Sequence, residues 1–138
     1  MNLYEYEGKE FLKKSGVAVP CSHFCDDVGQ IPDDVSFPVL VKAQILSGGR
    51  MEAGGIMFVK NKAELKRAVG QFLGSTIMGW TVAGVLIEEQ VAYREPEYFV
   101  SFSCDPQTRT VLFTMSDKGG TGIEKRQVTK VSIDIDDP

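Results

Sequence analysis

Residues 38–56 read PVLVKAQILSGGRMEAGGI, and this stretch decides the fold. Its first part, residues 38–45, is short, apolar and rich in β-branched side chains, the composition of a buried strand, yet it carries Lys42. An ammonium taken out of water is costly unless an anion meets it. Residues 47–55 then supply a glycine-rich turn whose N–H groups can approach phosphate oxygens closely, with Arg50 as a charged fork. Two readings fit this spacing. One is a phosphate cradle; the other is a flexible hairpin turn beside a lysine that snorkels to solvent.

Working outward, residues 56–59 read as a second strand. Asn61 and Glu64 then form a capping pattern before Leu65, Ala68, Val69, Phe72 and Leu73, the clearest amphipathic helical spacing in the chain, which Gly74 ends. Upstream, Asn2 with Glu5 predicts a helix start. Tyr4, Gly8, Phe11 and Leu12 share one face, and Gly16 supplies the stop. Residues 21–24 are expected to be extended, and residues 26–38 are polar and poorly periodic. Downstream, residues 74–84 read as a connector and residues 85–90 as a strand. Residues 98–104 and 110–115 form a hairpin around DPQTR, and residues 128–135 a final strand after a second glycine cluster, KGGTG at 118–122. The pattern predicts an α+β chain in which strands outnumber helices.

The chain has 138 residues, 43% of them hydrophobic and 25% charged, the make-up of one ordinary globular domain. Nineteen acidic against fifteen basic residues give a net charge of −4. That balance disfavours general nucleic-acid binding and adsorption to anionic membranes. The N-terminus lacks the apolar core of a secretory signal, and no apolar run is long enough to span a bilayer. Three cysteines without framework spacing argue against a disulfide scaffold, so a reducing cytoplasm is the expected location.

Three further groups invite chemistry. VLIEEQVAYREPEYF brings Glu88 to the end of one strand and Glu97 to the start of the next, where carboxylates and backbone suit a ribose diol and a purine edge; a solvated connection reads the same way. Cys21, His23 and Cys25 alternate along an extended segment, but a single line of ligands does not wrap a tetrahedral ion, and no metal site is expected. His23 is the only histidine. Asp134, Asp136 and Asp137 are read as a solvated end.

In order and spacing, MNLYEYEGKEFLKKSGVAVP, PVLVKAQILSGGRMEAGGI, VLIEEQ followed by PEYFV, and KGGTGIEK together resemble the succinyl-CoA synthetase β subunits. The resemblance covers nearly the whole chain. It implies residues 1–138 as the N-terminal part of an ATP-grasp fold, with mixed or antiparallel sheets and few helices. It also implies an ATP-dependent acid–CoA ligase that joins succinate and CoA at the expense of ATP, through a phosphohistidine on a partner α subunit. Lys42 would then contact the nucleotide phosphates, Gly49, Arg50 and Met51 would form the loop over them, Glu88 and Val91 the adenine-side hinge, and Glu97 a further nucleotide contact. Pro20 matches the base-preference position of ATP-using members. Mg²⁺ ligands are expected beyond residue 138, no catalytic nucleophile is expected within the chain, and the fragment is expected to be inactive alone.

The loop departs from the family's usual GGRGKAGG, with Met51 for glycine and Glu52 for lysine; Leu46 stands for a histidine and Lys118 for a glutamate. Met51 narrows backbone freedom. Glu52 turns attraction into repulsion: two unit charges about 5 Å apart at an effective dielectric near 20 interact by roughly 3 kcal/mol before screening. These departures sustain two alternatives, a non-catalytic ATP-grasp-like assembly scaffold and a related ligase acting on citrate or malate.

Overall fold

The computed structural model describes residues 2–92, 97–120 and 128–133. The elements run α1 (Glu5–Lys14), β1 (Ser22–Cys25), β2 (Val39–Ala43), β3 (Ile56–Val59), α2 (Lys62–Phe72), β4 (Thr76–Ile77), β5 (Trp80–Thr81), β6 (Val85–Glu89), β7 (Phe99–Asp105), β8 (Thr110–Ser116) and β9 (Thr129–Ile133). They fall into two units, Met1–Val91 and Ala92–Pro138.

In the first unit, alternation along β2 sets the architecture. Val39, Val41 and Ala43 are buried, while Leu40 and Lys42 on the other face are only partly so. β2 sits inside an antiparallel sheet of order β1-β6-β2-β3, so the side chains of its neighbours fall in register on the same two faces, and β6 is buried on both from Val85 to Glu88. One sheet face, with Cys25, Val39, Val41, Ala43, Val59, Val85 and Ile87, packs with Leu65, Ala68, Val69 and Phe72 of α2 into the core. Asn61 caps α2 as its sequence predicts, its Oδ1 accepting the Glu64 N–H at 2.9 Å, and Gly74 leaves the helix at φ +75°.

The opposite face of that sheet meets α1 by other means. No residue of α1 is buried, and Phe11 and Leu12 are 57% and 47% exposed, so the expected apolar face of α1 does not dock. Tyr6 stacks on Phe24 with ring centroids 4.1 Å apart, and the Tyr6 N–H donates to Gln44 Oε1 at 3.2 Å. The helix also starts later than Asn2 implies. Its cap is Tyr4, whose N–H donates to Glu7 Oε2 at 2.8 Å, which leaves the Glu5 carboxylate free for other partners. The end matches expectation: the Gly16 and Val17 N–H groups close onto Lys13 and Leu12 carbonyls in a Schellman motif.

The expected connector at 74–84 contains a small hairpin, β4 with β5, joined through Met78 and Gly79 at φ +51° and +80°. A two-residue turn of this kind needs positive φ at both positions and is usually signalled by Asn-Gly or Asp-Gly. Met-Gly gives no such signal, which is why the hairpin is not legible in the sequence.

The second unit is a three-stranded antiparallel sheet of order β7-β8-β9. Its register lines up Val100 with Met115, Phe102 with Phe113 and Val131, and Cys104 with Val111 and Ile133 on one face, while Ser101, Ser103, Thr114 and Ser132 take the other. The apolar face is exposed at Val100, Phe102, Met115, Val131 and Ile133. Expectations for Thr121 and Gly122 of the second glycine cluster, and for residues 134–135, lie outside the described residues.

If the α2 interface is the core and α1 is held by polar contacts, two truncations should differ sharply. Leu65→Ala, at a position with no exposed surface, is expected to cost about 3 kcal/mol in urea unfolding followed by circular dichroism. Phe11→Ala is expected to stay within about 0.5 kcal/mol. Equal losses would contradict this division of the sheet.

Candidate functional site

Period two puts Lys42 of β2 and Glu88 of β6 on the α1 side of the sheet. Their register, Lys42 opposite Leu86 and Leu40 opposite Glu88, makes them diagonal neighbours within reach of long side chains. Lys42 Nζ lies 2.6 Å from Glu88 Oε1. Glu5 and Lys9, four residues apart, share one face of α1. Lys9 Nζ reaches Glu88 Oε2 at 2.7 Å, and Glu5 Oε1 lies 3.1 Å from Lys42 Nζ and 3.6 Å from Lys9 Nζ.

The glycine-rich loop delivers the third cation. Gly49 and Gly54 adopt φ of +73° and +75°, and the Gly55 N–H closes onto the Arg50 carbonyl at 2.6 Å. A Cβ on Gly55 would stand 3.0 Å from that same oxygen and 3.2 Å from the Arg50 Cβ, closer than side chains usually come, so glycine lets the turn close without a shift. This winding turns Arg50 inward, where it pairs with Glu5 Oε2 and donates to the Ala43 carbonyl at 3.2 Å. Met51 and Glu52 are exposed.

Three cations, Lys9, Lys42 and Arg50, thus share two carboxylates, Glu5 and Glu88, leaving one positive charge in excess. Burial by itself would push the Glu88 carboxyl up; the hydrogen bonds from Lys42 and then Lys9 outweigh it and hold it below the ordinary glutamate value. Burial pulls the Arg50 guanidinium down and the Glu88 charge opposes that. Gln44, buried just past the end of β2, links the sheet to α1 by accepting the Tyr6 N–H and donating to the Lys42 carbonyl at 3.1 Å. A cluster of this kind can exchange anions: an incoming phosphate oxygen meets donors that already hold carboxylates.

Beside it lies a cavity of about 520 Å³ lined by Tyr6, Lys9, Pro20, Phe24, Leu86 and Glu89, among others. Lys9 belongs to both the cavity and the ion cluster. The cavity's lining mixes Tyr6, Pro20, Phe24 and Leu86 with Lys9, Lys13, Glu10 and Glu89, so it offers apolar contact area together with both signs of charge.

Among the sequence-derived candidates, the structure brings Lys42, Arg50 and Glu88 together and sets Gly49 in the turn that orients Arg50. Met51 stands in solvent, 57% exposed, and makes no part of the ion cluster. Val91 is exposed at the end of the first unit. Glu97 is exposed in the second unit, where its carbonyl accepts the Gly119 N–H at 2.6 Å. Glu5, Lys9 and Gln44 are site residues that sequence reasoning misses. Opposite charges four residues apart in EYEGK are the available signal, but the pairing of Glu5 with Asn2 reads equally well as a cap. His23 Nε2 lies 3.1 Å from the Gln30 carbonyl, which also accepts from Cys25 Sγ at 3.5 Å, and burial pushes the Cys25 thiol up to about 11. Among the described residues, no group of three or more His, Cys, Asp or Glu side chains gathers to hold a metal.

The profile of the ATP-grasp domain family matches residues 2–135. The ADP-forming succinate–CoA ligase β subunit of Methanocaldococcus jannaschii is 36% identical, over all of this chain and 40% of its own length. The equivalent subunit of Bacillus licheniformis is 38% identical over 91% of this chain and 35% of its own length. The chain therefore spans only about two fifths or less of these relatives. Among solved structures, a Pyrococcus horikoshii protein superposes with a TM-score of 0.73 at 23% identity, over 96% of this chain and 59% of its own. A dinucleotide-forming acetyl-coenzyme A synthetase of Ca. Korarchaeum cryptofilum, bound to coenzyme A and acetyl-coenzyme A, gives 0.68 at 22%, over the same shares.

The ion cluster has a pH signature. Because the folded Glu88 carboxyl lies below its unfolded value, its contribution is present above the ordinary glutamate range and lost as pH falls through the folded value. Glu88→Gln is expected to cost about 2 kcal/mol at pH 7, since it leaves Glu5 as the one carboxylate of the cluster for Lys9, Lys42 and Arg50. The gap from the parent should start to close only below the ordinary glutamate value, about 4, and go on narrowing as pH falls through the lower folded value. Urea unfolding across pH 3–7 reads this, and a pH-independent gap would contradict it.

Proposed function

This chain belongs to the ATP-grasp domain family, and we propose that its first unit binds the phosphates of ATP in the service of an acid–CoA ligase. The observation that carries the reading is the convergence of Lys42, Arg50 and Glu88 from two strands and a glycine turn into one net-positive cluster beside a cavity of mixed apolar and charged lining. Lys42 and Arg50 neutralise phosphate charge, and Glu88 fixes the Lys42 ammonium so that its remaining donors face the ligand. The base lies against Pro20 and Phe24, with Val91 on the nucleotide's hinge side; the assignment of Glu97 to the nucleotide rests on the sequence resemblance alone.

Phosphoryl transfer from ATP depends on positioning and charge neutralisation more than on a protein nucleophile. None is assigned here. The described residues fit phosphate oxygens and do not themselves assemble a Mg²⁺ site; a metal carried by the nucleotide would supply further charge neutralisation. In the whole protein, the phosphoryl group would pass through a histidine of a partner α subunit to a carboxylic acid such as succinate, and CoA would take the acyl group. The similarity to succinate–CoA ligase β subunits supports succinate ahead of citrate or malate. A cytoplasmic location is part of the same proposal.

Exposed Met51 and Glu52 favour one other reading, a scaffold whose loop no longer holds a triphosphate. Calorimetric titration of ATP·Mg²⁺ into the full-length protein separates the two. Binding is expected, with Lys42→Met and Arg50→Gln each weakening it by about tenfold or more, the worth of a lost charge-assisted hydrogen bond. No binding by the parent chain, with rescue by Met51→Gly plus Glu52→Lys, would establish the scaffold reading instead.

A further inference from the structure

We infer that the Glu5 carboxylate holds the place of a ligand oxygen between Lys42 and Arg50, so that a polyphosphate binds by exchange with Glu5 and loosens α1 from the sheet. This rests on the nucleotide reading above and deepens it by assigning a residue that sets which anions enter.

The two carboxylates of the cluster are not equivalent. Glu88 extends from a central strand, and its side chain is 5% exposed. Glu5 sits in the first turn of α1 with 24% of its side chain exposed, and it contacts all three cations. A phosphate oxygen that reaches Lys42 and Arg50 must approach the Glu5 oxygens at hydrogen-bonding range, where two like charges repel strongly. One of the anions has to leave. Glu5 is the one that can, because the helix carrying it has no buried residue. Besides these ion pairs, α1 is held by the Tyr6–Phe24 stack and the Tyr6 N–H bond to Gln44. An anion in the place of Glu5 removes its contacts to Lys42 and Arg50 and leaves Lys9–Glu88 as the remaining ion pair between α1 and the sheet, so the helix is loosened rather than freed.

Charge number then becomes a filter. Displacing Glu5 forfeits contacts to Lys42, Arg50 and Lys9 together, and a ligand replaces them the more fully the more anionic oxygens it brings. A polyphosphate meets that demand. A monophosphate can bridge Lys42 and Arg50 as the Glu5 carboxylate does, but it brings fewer negative charges than a di- or triphosphate, so less attraction remains once Glu5 is displaced. Glu5 is thus a specificity-determining residue that favours di- and triphosphates over monophosphates.

The test uses the full-length protein with two readouts, hydrogen–deuterium exchange of residues 5–14 with and without ATP·Mg²⁺, and calorimetric affinities of ATP and AMP for the parent and Glu5→Gln. Exchange in α1 is expected to rise when ATP binds. Glu5→Gln is expected to tighten AMP on the order of tenfold and ATP by less, narrowing the preference. If ATP binds but α1 stays equally protected, the inference is overturned while the nucleotide reading stands, whatever the variant does. An unchanged ATP-to-AMP ratio in a folded Glu5→Gln protein also overturns it. If neither protein binds ATP, the nucleotide reading itself fails.

Discussion

An ammonium group in the middle of a sheet face has few stable arrangements, and Lys42 adopts one of them. The amine is mostly withdrawn from solvent and lies 2.6 Å from the Glu88 carboxylate. That pairing requires β2 and β6 to be neighbours in the observed register, because a slip by one residue would move one partner to the face packed on α2. It also requires something charged above the sheet, since Glu88 has a second oxygen and Lys42 further donors. Helix α1 supplies Lys9 and Glu5, and the glycine turn supplies Arg50. The sheet is thus apolar against α2 and ionic against α1, and the ionic side is where ligand chemistry is available.

Much of this is legible in the sequence, for physical reasons that differ by element. β2, β3 and β6 are short apolar β-branched runs, and α2 carries both an Asn cap and a regular apolar stripe, so local preference and burial agree. The lysine in β2 points to a buried counter-charge, and Glu88 stands out on its own as a candidate, though for a different duty. What escapes is the role of α1. Its apolar residues suggest a docked face, yet Phe11 and Leu12 face solvent while Glu5 and Lys9 face the sheet. Helical periodicity identifies which residues share a side but does not say which side the tertiary structure uses. Glu5 fits a capping pattern as well as an ion pair, and only the distant partner Lys42 decides between them.

The glycine-rich turn shows how a departure in sequence can leave local geometry intact. Met51 and Glu52 replace residues usual in the resembling family, yet the turn still closes through the Gly55 N–H and aims Arg50 inward. The altered side chains stand in solvent, so any effect on a triphosphate comes from charge and bulk at the loop's outer surface, while the Lys42, Glu88 and Arg50 arrangement is kept. Membership of the ATP-grasp family and similarity to one part of succinate–CoA ligase β subunits agree with a site built to hold a charged nucleotide tail.

The central claim is that Lys42 and Arg50 form a polyphosphate site in which Glu5 keeps the place of ligand oxygens. A crystal structure of the protein with ATP and Mg²⁺ addresses it directly. The account predicts phosphate oxygens within hydrogen-bonding distance of Lys42 Nζ and the Arg50 guanidinium, Glu88 still paired with Lys42, and Glu5 withdrawn from its 3.1 Å contact with that amine. Phosphates bound elsewhere, with all four side chains paired as they are here, would contradict it.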